Sequence, residues 1–254
     1  MKIVGFGHSH ILTLRFAAAQ WKDEFNALGL NLSTHWMGDE IYKEYRVQCL
    51  DRGIDGFDFN ENLKNEIFGI DANNDFVISC FGGNAHNVLG LVQHPIPFEF
   101  RFEDELLEES LENLEIILIS LIEEIMQSQG GFPETIWSLR NLRNYYSGIL
   151  LHCESPPPIY DEDYLIKYAG PFAEMFEKNG ITHANLRRKL WRLHSRLIKN
   201  ECDLLGIHFI SAPSNFLTET GFLTENGLAQ DTTHASKEYG RSVIYQILDK
   251  IKTL

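Results

Sequence analysis

The feature that most constrains the fold of this chain is the alternation of short apolar runs with longer amphipathic segments. The apolar runs have the length of β-strands and end in glycine, proline or polar residues. They are residues 2–6 (KIVGF), 31–38 (NLSTHWMG), 74–84 (NDFVISCFGGN), 147–153 (SGILLHC) and 205–213 (LGIHFISAP). Because most of these runs are apolar throughout, we expect a parallel sheet that helices cover on both faces.

The segments between these runs carry apolar residues at helical spacing. The spacing predicts helices over residues 11–28, 103–126, 183–199 and 235–251. We therefore expect an α/β protein, a three-layer α/β/α sandwich with a mostly parallel sheet. Residues 1–254 are expected to form a single domain, with helical insertions at about 100–140 and 154–200.

Charge and cysteine content exclude several classes of function. The formal net charge of −14 argues against nucleic acid or an anionic membrane as the main partner. The four cysteines are far apart and form no CxxC pair, which predicts reduced thiols in a cytoplasmic protein and no zinc site made from them. No metal and no cofactor are expected. We also expect no signal peptide and no membrane span, because no apolar stretch is long enough.

Polar residues follow several of the predicted strands. Ser9 comes after the first strand, Asn84 after the 74–84 run, and His152 and Glu154 close the 147–153 run. In an open parallel sheet, ligands bind outside the carboxyl ends of the strands. We therefore expect these side chains to lie along one edge of the sheet.

The residues at this edge could assemble a serine nucleophile. A serine hydroxyl needs a base to take its proton, and His234 can be that base. Asp231, three residues earlier, can orient the imidazole and stabilise its protonated form. The oxyanion needs preorganised donors, for which the backbone N–H groups of Ser9 and Gly38 and the side chain of Asn84 are candidates.

The same blocks, in the same order, resemble those of the SGNH (GDSL-type) hydrolase superfamily. They are GHSH after the first strand, MG after the second, GGN at residues 82–84, and DTTHASKEYG at residues 231–240. The resemblance implies the flavodoxin-like SGNH hydrolase fold. It also implies a catalytic triad of Ser9, His234 and Asp231, with an oxyanion hole formed by Ser9, Gly38 and Asn84.

The sequence departs from the usual pattern of that superfamily at named positions. The usual G-D-S is Gly7-His8-Ser9, and alanine follows Asn84 where the superfamily has aspartate. Such GxSH variants resemble SGNH modules associated with O-acylation of surface polysaccharides. The glycine block is the weakest match, and Gly53 or Gly56 could take the place of Gly38.

The implied function is a serine esterase acting on an O-acylated carbohydrate or a small ester. The alternatives are a polysaccharide O-acyltransferase and a non-catalytic module that binds glycan or protein. We expect activity to fall below a pH of roughly 6.5, the reference value for a histidine base. The oligomeric state stays open. The expected substrate-binding residues are His8, His10, Gly83, His152 and Glu154.

Each assignment has a structural alternative. Ser9 could be a helix N-cap, Asp231 and His234 could cap the last helix, and Asn84 could be an ordinary turn residue. His8 and His10 could also share a metal ion with Asp231 and His234.

Overall fold

The computed structural model describes residues 1–42, 44–48, 56–103, 114–129 and 131–254. Its strands are β1 (Lys2–Gly7), β2 (Asn31–Trp36), β3 (Arg46–Gln48), β4 (Phe57–Phe59), β5 (Asp75–Cys80), β6 (Phe98–Glu99), β7 (Glu115–Ile116), β8 (Leu150–Cys153) and β9 (His208–Ile210). Its α-helices are α1 (Ile11–Gln20), α2 (Lys22–Ala27), α3 (Glu61–Phe68), α4 (Ala85–Gly90), α5 (Ile119–Ser128), α6 (Phe132–Tyr145), α7 (Glu162–Lys167), α8 (Ala173–Asn179), α9 (Ala184–Leu205) and α10 (Lys237–Lys252).

The centre of the fold is a five-stranded sheet in the order β2-β1-β5-β8-β9. All four neighbouring pairs are parallel, and each strand coincides with one of the five predicted runs, β1 extending one residue beyond its run. Counting only these strands, the order is the 2-1-3-4-5 of flavodoxin-like sheets. In this order the direction of the connections reverses between β1 and β5, which makes their carboxyl ends the expected ligand site.

Alternate residues of the central strands face two separate apolar cores. Val4 and Val77 pack on one face with residues of α3, α5, α6 and α9. Ile3 and Ile78 pack on the other face with residues of α1 and α10. Burial of both faces explains why the strands are largely apolar. Because helices cover both faces of the sheet, the predicted three-layer α/β/α sandwich is confirmed.

The prediction of one helix over residues 103–126 is wrong in the part that the structure describes. Residues 104–113 lie outside the described residues. After them comes strand β7, which pairs with β6, and α5 begins only at Ile119. The β-branched residues Ile116 and Ile117 favour an extended chain, and the Ile117 N–H donates to the Glu99 carbonyl at 2.8 Å.

The other predicted helices differ from the observed ones mainly at their ends. The segment 11–28 is divided at Trp21 into α1 and α2. The segment 183–199 continues to Leu205, where Gly206 ends the helix in a left-handed conformation. Helix α6 was not predicted as a separate element. It begins after Gly131 with a proline in its first turn, a common helix start.

Two further expectations concern cysteines and membrane spans. Cys80, Cys153 and Cys202 are buried free thiols, and Cys49 lies outside the described residues. None of the helices in the described parts of the chain combines the length and the apolar character needed to cross a bilayer.

Candidate active site

Three predicted blocks meet at the carboxyl edge of the sheet, where β2, β1 and β5 lie side by side. Gly38 follows β2, Ser9 follows β1, and Asn84 follows β5. Backbone hydrogen bonds join the neighbouring strand ends. The Met37 N–H donates to the Gly7 carbonyl at 2.9 Å, and the His8 N–H donates to the Cys80 carbonyl at 3.2 Å. The oxyanion candidates therefore follow three adjacent strands.

Gly38 suits the glycine block better than Gly56. Gly56 precedes β4, which pairs with β3 and not with the central sheet, and Gly53 lies outside the described residues. A Cβ atom at Gly38 would lie 2.3 Å from Cζ2 of Trp36, so close packing requires glycine there.

The structure gives the proposed catalytic residues no capping role. His10, not Ser9, occupies the N-cap position of α1, and no side chain caps that helix. Helix α10 is capped by Ser236, whose Oγ accepts from the Tyr239 N–H, and not by Asp231 or His234. Asn84 occupies the N-cap position of α4 but makes no side-chain capping bond. The structure therefore does not support the capping alternatives for Ser9, Asp231 and His234, and the alternative of Asn84 as a turn residue is not tested.

Asp231 and His234 form a hydrogen-bonded pair just before α10. Oδ1 of Asp231 lies 2.9 Å from Nδ1 of His234 and accepts from the backbone N–H groups of Thr233 and His234. Partial burial acts to raise the pKa of Asp231, but the hydrogen bonds from His234 and Thr233 hold that pKa below its usual range. With Nδ1 donating, Nε2 of a neutral His234 carries the lone pair. Nε2 is buried and has no hydrogen-bond partner among the described residues.

The ring of His10, the residue after Ser9, contacts the ring of His234. The ring centroids of His10 and His234 are 5.1 Å apart. Burial, with a further contribution from nearby His234, lowers the pKa of His10 to about 3. The His10 ring is therefore neutral at physiological pH and adds no repulsive charge when His234 takes up a proton.

The turn after β5 is enclosed by side chains. Gly82 and Gly83 have φ angles of +79° and +95°. A Cβ atom at Gly82 would lie 2.1 Å from Oγ1 of Thr135, and one at Gly83 would lie 2.4 Å from Cδ2 of His10. Both the backbone conformation and the available space therefore require glycine at these positions.

Replacing Gly82 with alanine should lower the free energy of unfolding by about 2–5 kcal/mol, because it combines a strained backbone with overpacking. Gly131→Ala is a matched control, since Gly131 has the same φ of +79° and a Cβ added there would meet no atom within 4 Å. That control should lose only about 1 kcal/mol. Urea denaturation measures both, and equal losses would contradict the packing argument.

His8 uses both ring nitrogens within the protein. Its Nδ1 accepts from the Gly82 N–H at 2.9 Å, and its Nε2 lies 2.9 Å from the Tyr45 hydroxyl. The Tyr45 hydroxyl in turn donates to Oε1 of Glu134. His8 therefore faces α6, whereas His10 faces His234.

A small cavity behind the Gly82–Gly83 turn collects the other residues expected to bind substrate. His10, Gly83, His152 and Glu154 line a cavity of about 30 Å³. Nδ1 of His152 lies 3.1 Å from Oγ of Ser79, and burial raises the pKa of Glu154. A cavity of this volume holds about two water molecules, and the substrate-binding role of these residues stays a prediction.

The buried histidines around this cavity predict a stability that depends on pH. Burial lowers the pKa of His10 and His152 to about 3 and that of His194 to about 4. The folded protein therefore excludes protons that the unfolded chain binds below pH 6.5, so this stability is present above about pH 6.5 and is lost as the pH falls. From pH 7 to pH 5 the free energy of unfolding should fall by about 1–2 kcal/mol per histidine.

Urea denaturation at the two pH values tests this dependence. His194→Gln should reduce the change between pH 7 and pH 5, whereas replacing the exposed His94 with glutamine should not. A urea midpoint that does not move between these pH values would contradict the prediction.

The metal alternative has no support in the described parts of the chain, where no group of three or more His, Cys, Asp or Glu side chains is placed to hold an ion. His8 and His10, which that alternative would bring together, have different partners. His8 bonds to Tyr45, and His10 packs against His234.

Sequence reasoning missed Tyr45, Glu134, Thr135 and His194. Each contacts the site from a segment far along the chain, and none belongs to a recognisable motif. A proline just before Glu134 marked the helix start, but nothing indicated that this turn faces Gly82.

Comparison with protein-family models and with curated proteins gives no match to this sequence. Solved structures match over nearly all of the chain. The periplasmic domain of a lipopolysaccharide acetyltransferase from Salmonella ser. Paratyphi A is 14% identical with a TM-score of 0.51, and the match covers 98% of this chain and 83% of that one. A Streptococcus pneumonia protein whose name refers to platelet activating factor is 11% identical with a TM-score of 0.52, at the same coverages. A GDSL-like lipase from Bacteroides thetaiotaomicron is 14% identical with a TM-score of 0.48, covering 100% and 89%.

The chain has the fold of the SGNH hydrolases, and the resemblance noted in its sequence is confirmed at that level. Identities this low establish the fold and nothing about the reaction. The chemistry therefore depends on the residues at the carboxyl edge of the sheet.

Proposed function

We propose that this protein is a serine acylhydrolase in which Ser9 is the nucleophile, His234 the base and Asp231 its orienting partner. The observation that carries the proposal is the position of the Asp231–His234 pair. The pair has no capping role, and the His234 ring lies against His10, the residue that follows Ser9. A base with an unpartnered Nε2 is thus held beside the turn that carries the serine.

In the proposed reaction, Ser9 Oγ attacks the ester carbonyl carbon while Nε2 of His234 takes the hydroxyl proton. Asp231 stabilises the imidazolium through Nδ1. The N–H groups of Ser9 and Gly38 and the side-chain amide of Asn84 donate to the oxyanion. His234 then gives its proton to the leaving alcohol. A water molecule then attacks the acyl carbon as His234 takes its proton, and His234 returns that proton to Oγ of Ser9 as the bond to the serine breaks and the acid leaves.

An O-acylated carbohydrate or a small ester is the proposed substrate. Its support is the Gly7-His8-Ser9-His10 block together with the fold shared with a lipopolysaccharide acetyltransferase. The same likeness favours a second candidate, transfer of the acyl group from Ser9 to a sugar hydroxyl instead of water. Mass analysis of the products formed with and without a sugar acceptor separates the two.

Labelling with a fluorophosphonate, followed by intact-mass measurement, tests the nucleophile directly. Wild type should gain one adduct, and Ser9→Ala and His234→Ala should gain none. Ser120→Ala is the matched control, because Ser120 is an exposed serine in α5, and it should label like wild type. A folded wild type that gains no adduct would overturn the proposal in favour of a non-catalytic binding module.

A further inference from the structure

We propose that His8 is a positioning residue that fixes the Gly82–Asn84 turn relative to Ser9 and so aligns the oxyanion hole. The inference rests on the proposed acylhydrolase function, because it gives Asn84 a role in that reaction. It differs from the expectation that His8 binds substrate, since the protein itself occupies both nitrogens of the ring.

His8 holds the turn after β5 at two points. Its backbone N–H donates to the Cys80 carbonyl at 3.2 Å, and its Nδ1 accepts from the Gly82 N–H at 2.9 Å. Ser9 is the next residue along the chain, and Asn84 is two residues beyond Gly82. One residue therefore fixes the distance between the nucleophile and the side-chain donor of the oxyanion hole.

The interaction with Gly82 depends on the tautomer of the His8 ring. Nδ1 can accept from the Gly82 N–H only if it carries no proton, so a neutral ring must carry its proton on Nε2. Nε2 then donates to the Tyr45 hydroxyl, which donates to Glu134. The contact of Nε2 with Tyr45 thus favours the tautomer in which Nδ1 can accept from the Gly82 N–H. In other sites too, the hydrogen bond to one ring nitrogen sets the role of the second nitrogen.

Charges behind Tyr45 keep this chain of hydrogen bonds in one direction. Burial, and then Glu134, raise the pKa of Tyr45, so its hydroxyl stays a donor. Burial acts to raise the pKa of Glu134, but nearby His8, whose Nε2 lies 3.6 Å from Oε1, and the hydrogen bond from Tyr45 outweigh it and lower the pKa to about 2. Glu134 is therefore ionised, and Arg46 pairs with its other oxygen at 3.2 Å.

The turn is also held from the side of α6. Glu134 and Thr135 are neighbours in the first turn of that helix. Thr135 lies against Gly82, and its Oγ1 donates to the Gly131 carbonyl at 3.0 Å. His8 and Thr135 thus both contact Gly82, which leaves the turn little room to shift.

Two substitutions at His8 separate the acceptor from the rest of the ring. His8→Asn keeps an acceptor near the position of Nδ1, whereas His8→Gln moves its polar atoms to the position of Nε2. With p-nitrophenyl acetate, His8→Gln should lower kcat about 30-fold with KM unchanged, because misplaced donors act on the transition state. His8→Asn should recover kcat to within about 3-fold of wild type. Equal kcat values for the two variants would overturn the proposal.

NMR of the His8 ring nitrogens tests the hydrogen bond between the Gly82 N–H and Nδ1 of His8 without relying on turnover. The long-range ¹H–¹⁵N spectrum at pH 8, assigned by its loss in His8→Asn, should show a proton on Nε2 and none on Nδ1. Tyr45→Phe should shift the ring towards the other tautomer. A proton on Nδ1 in wild type would overturn the proposal, because Nδ1 could then not accept from the Gly82 N–H. A wild type that hydrolyses no ester but has its proton on Nε2 would overturn the proposed function and, with it, the positioning role. The hydrogen bond between Gly82 and His8 would then still be established.

Discussion

Replacing Ser9 with alanine is expected to lower kcat for ester hydrolysis by about 10⁴-fold or more. The reason is that alanine removes the proposed attacking oxygen, so only binding and the oxyanion hole would remain. His234→Ala should have a loss of similar size. The double variant should lose little more than either single one, because residues that act as a unit are not additive. Hydrolysis of p-nitrophenyl acetate, followed by absorbance, measures all three.

The control for this series is Ser120→Ala, which should keep wild-type kcat. Thermal unfolding should show that every variant is folded. Ser9→Ala with more than about one tenth of wild-type kcat would contradict the nucleophile assignment, since triad serines leave far less activity. A double variant with a much larger loss than either single one would indicate that Ser9 and His234 act separately.

The second large effect is expected for Asp231→Asn, which should lower kcat by about 10³-fold. The asparagine oxygen can still accept from the Thr233 and His234 backbone N–H groups, so the turn before α10 should keep its shape. What is lost is the negative charge 2.9 Å from Nδ1 of His234, which stabilises the imidazolium in the transition state. Steady-state kinetics should show the loss in kcat with KM little changed.

Asp231→Ala provides the comparison for this variant. It removes the charge and also the acceptor of the backbone N–H groups, so it should lower both kcat and the free energy of unfolding. If Asp231→Asn keeps full kcat while Asp231→Ala loses stability, Asp231 has only a structural role in the turn.

Much of the fold could be predicted because the central strands are buried on both faces. A strand such as 75–80 is apolar almost throughout, so it stands out from the amphipathic helices beside it. The region around 103–126 was harder, because leucine and isoleucine suit both helix and strand. There, pairing of β7 with β6 decides the conformation, and a pairing partner is not visible in a local pattern.

The candidate site was predictable where its residues lie close together along the chain. Asp231 and His234 are three residues apart, so one turn can join them, and the structure places them in hydrogen-bond contact. The two histidines beside Ser9 were harder to separate. Which way each ring points depends on Tyr45, Glu134 and His234, which come from distant segments. That Tyr45 and Glu134 lie near the site is visible only in the folded structure.

Helix α6 begins inside the helical insertion expected at about 100–140, yet its residues serve more than that insertion. None of the five strands of the central sheet comes from this helix, but its Leu139 and Leu142 are fully buried in the core that also holds Val77. Its first turn supplies Thr135 and Glu134, which contact Gly82 and Tyr45. One helix therefore contributes both to the apolar core and to the support of the turn after β5. A shortened version of this protein chosen by its sheet alone would lose part of its core together with the contacts that hold that turn.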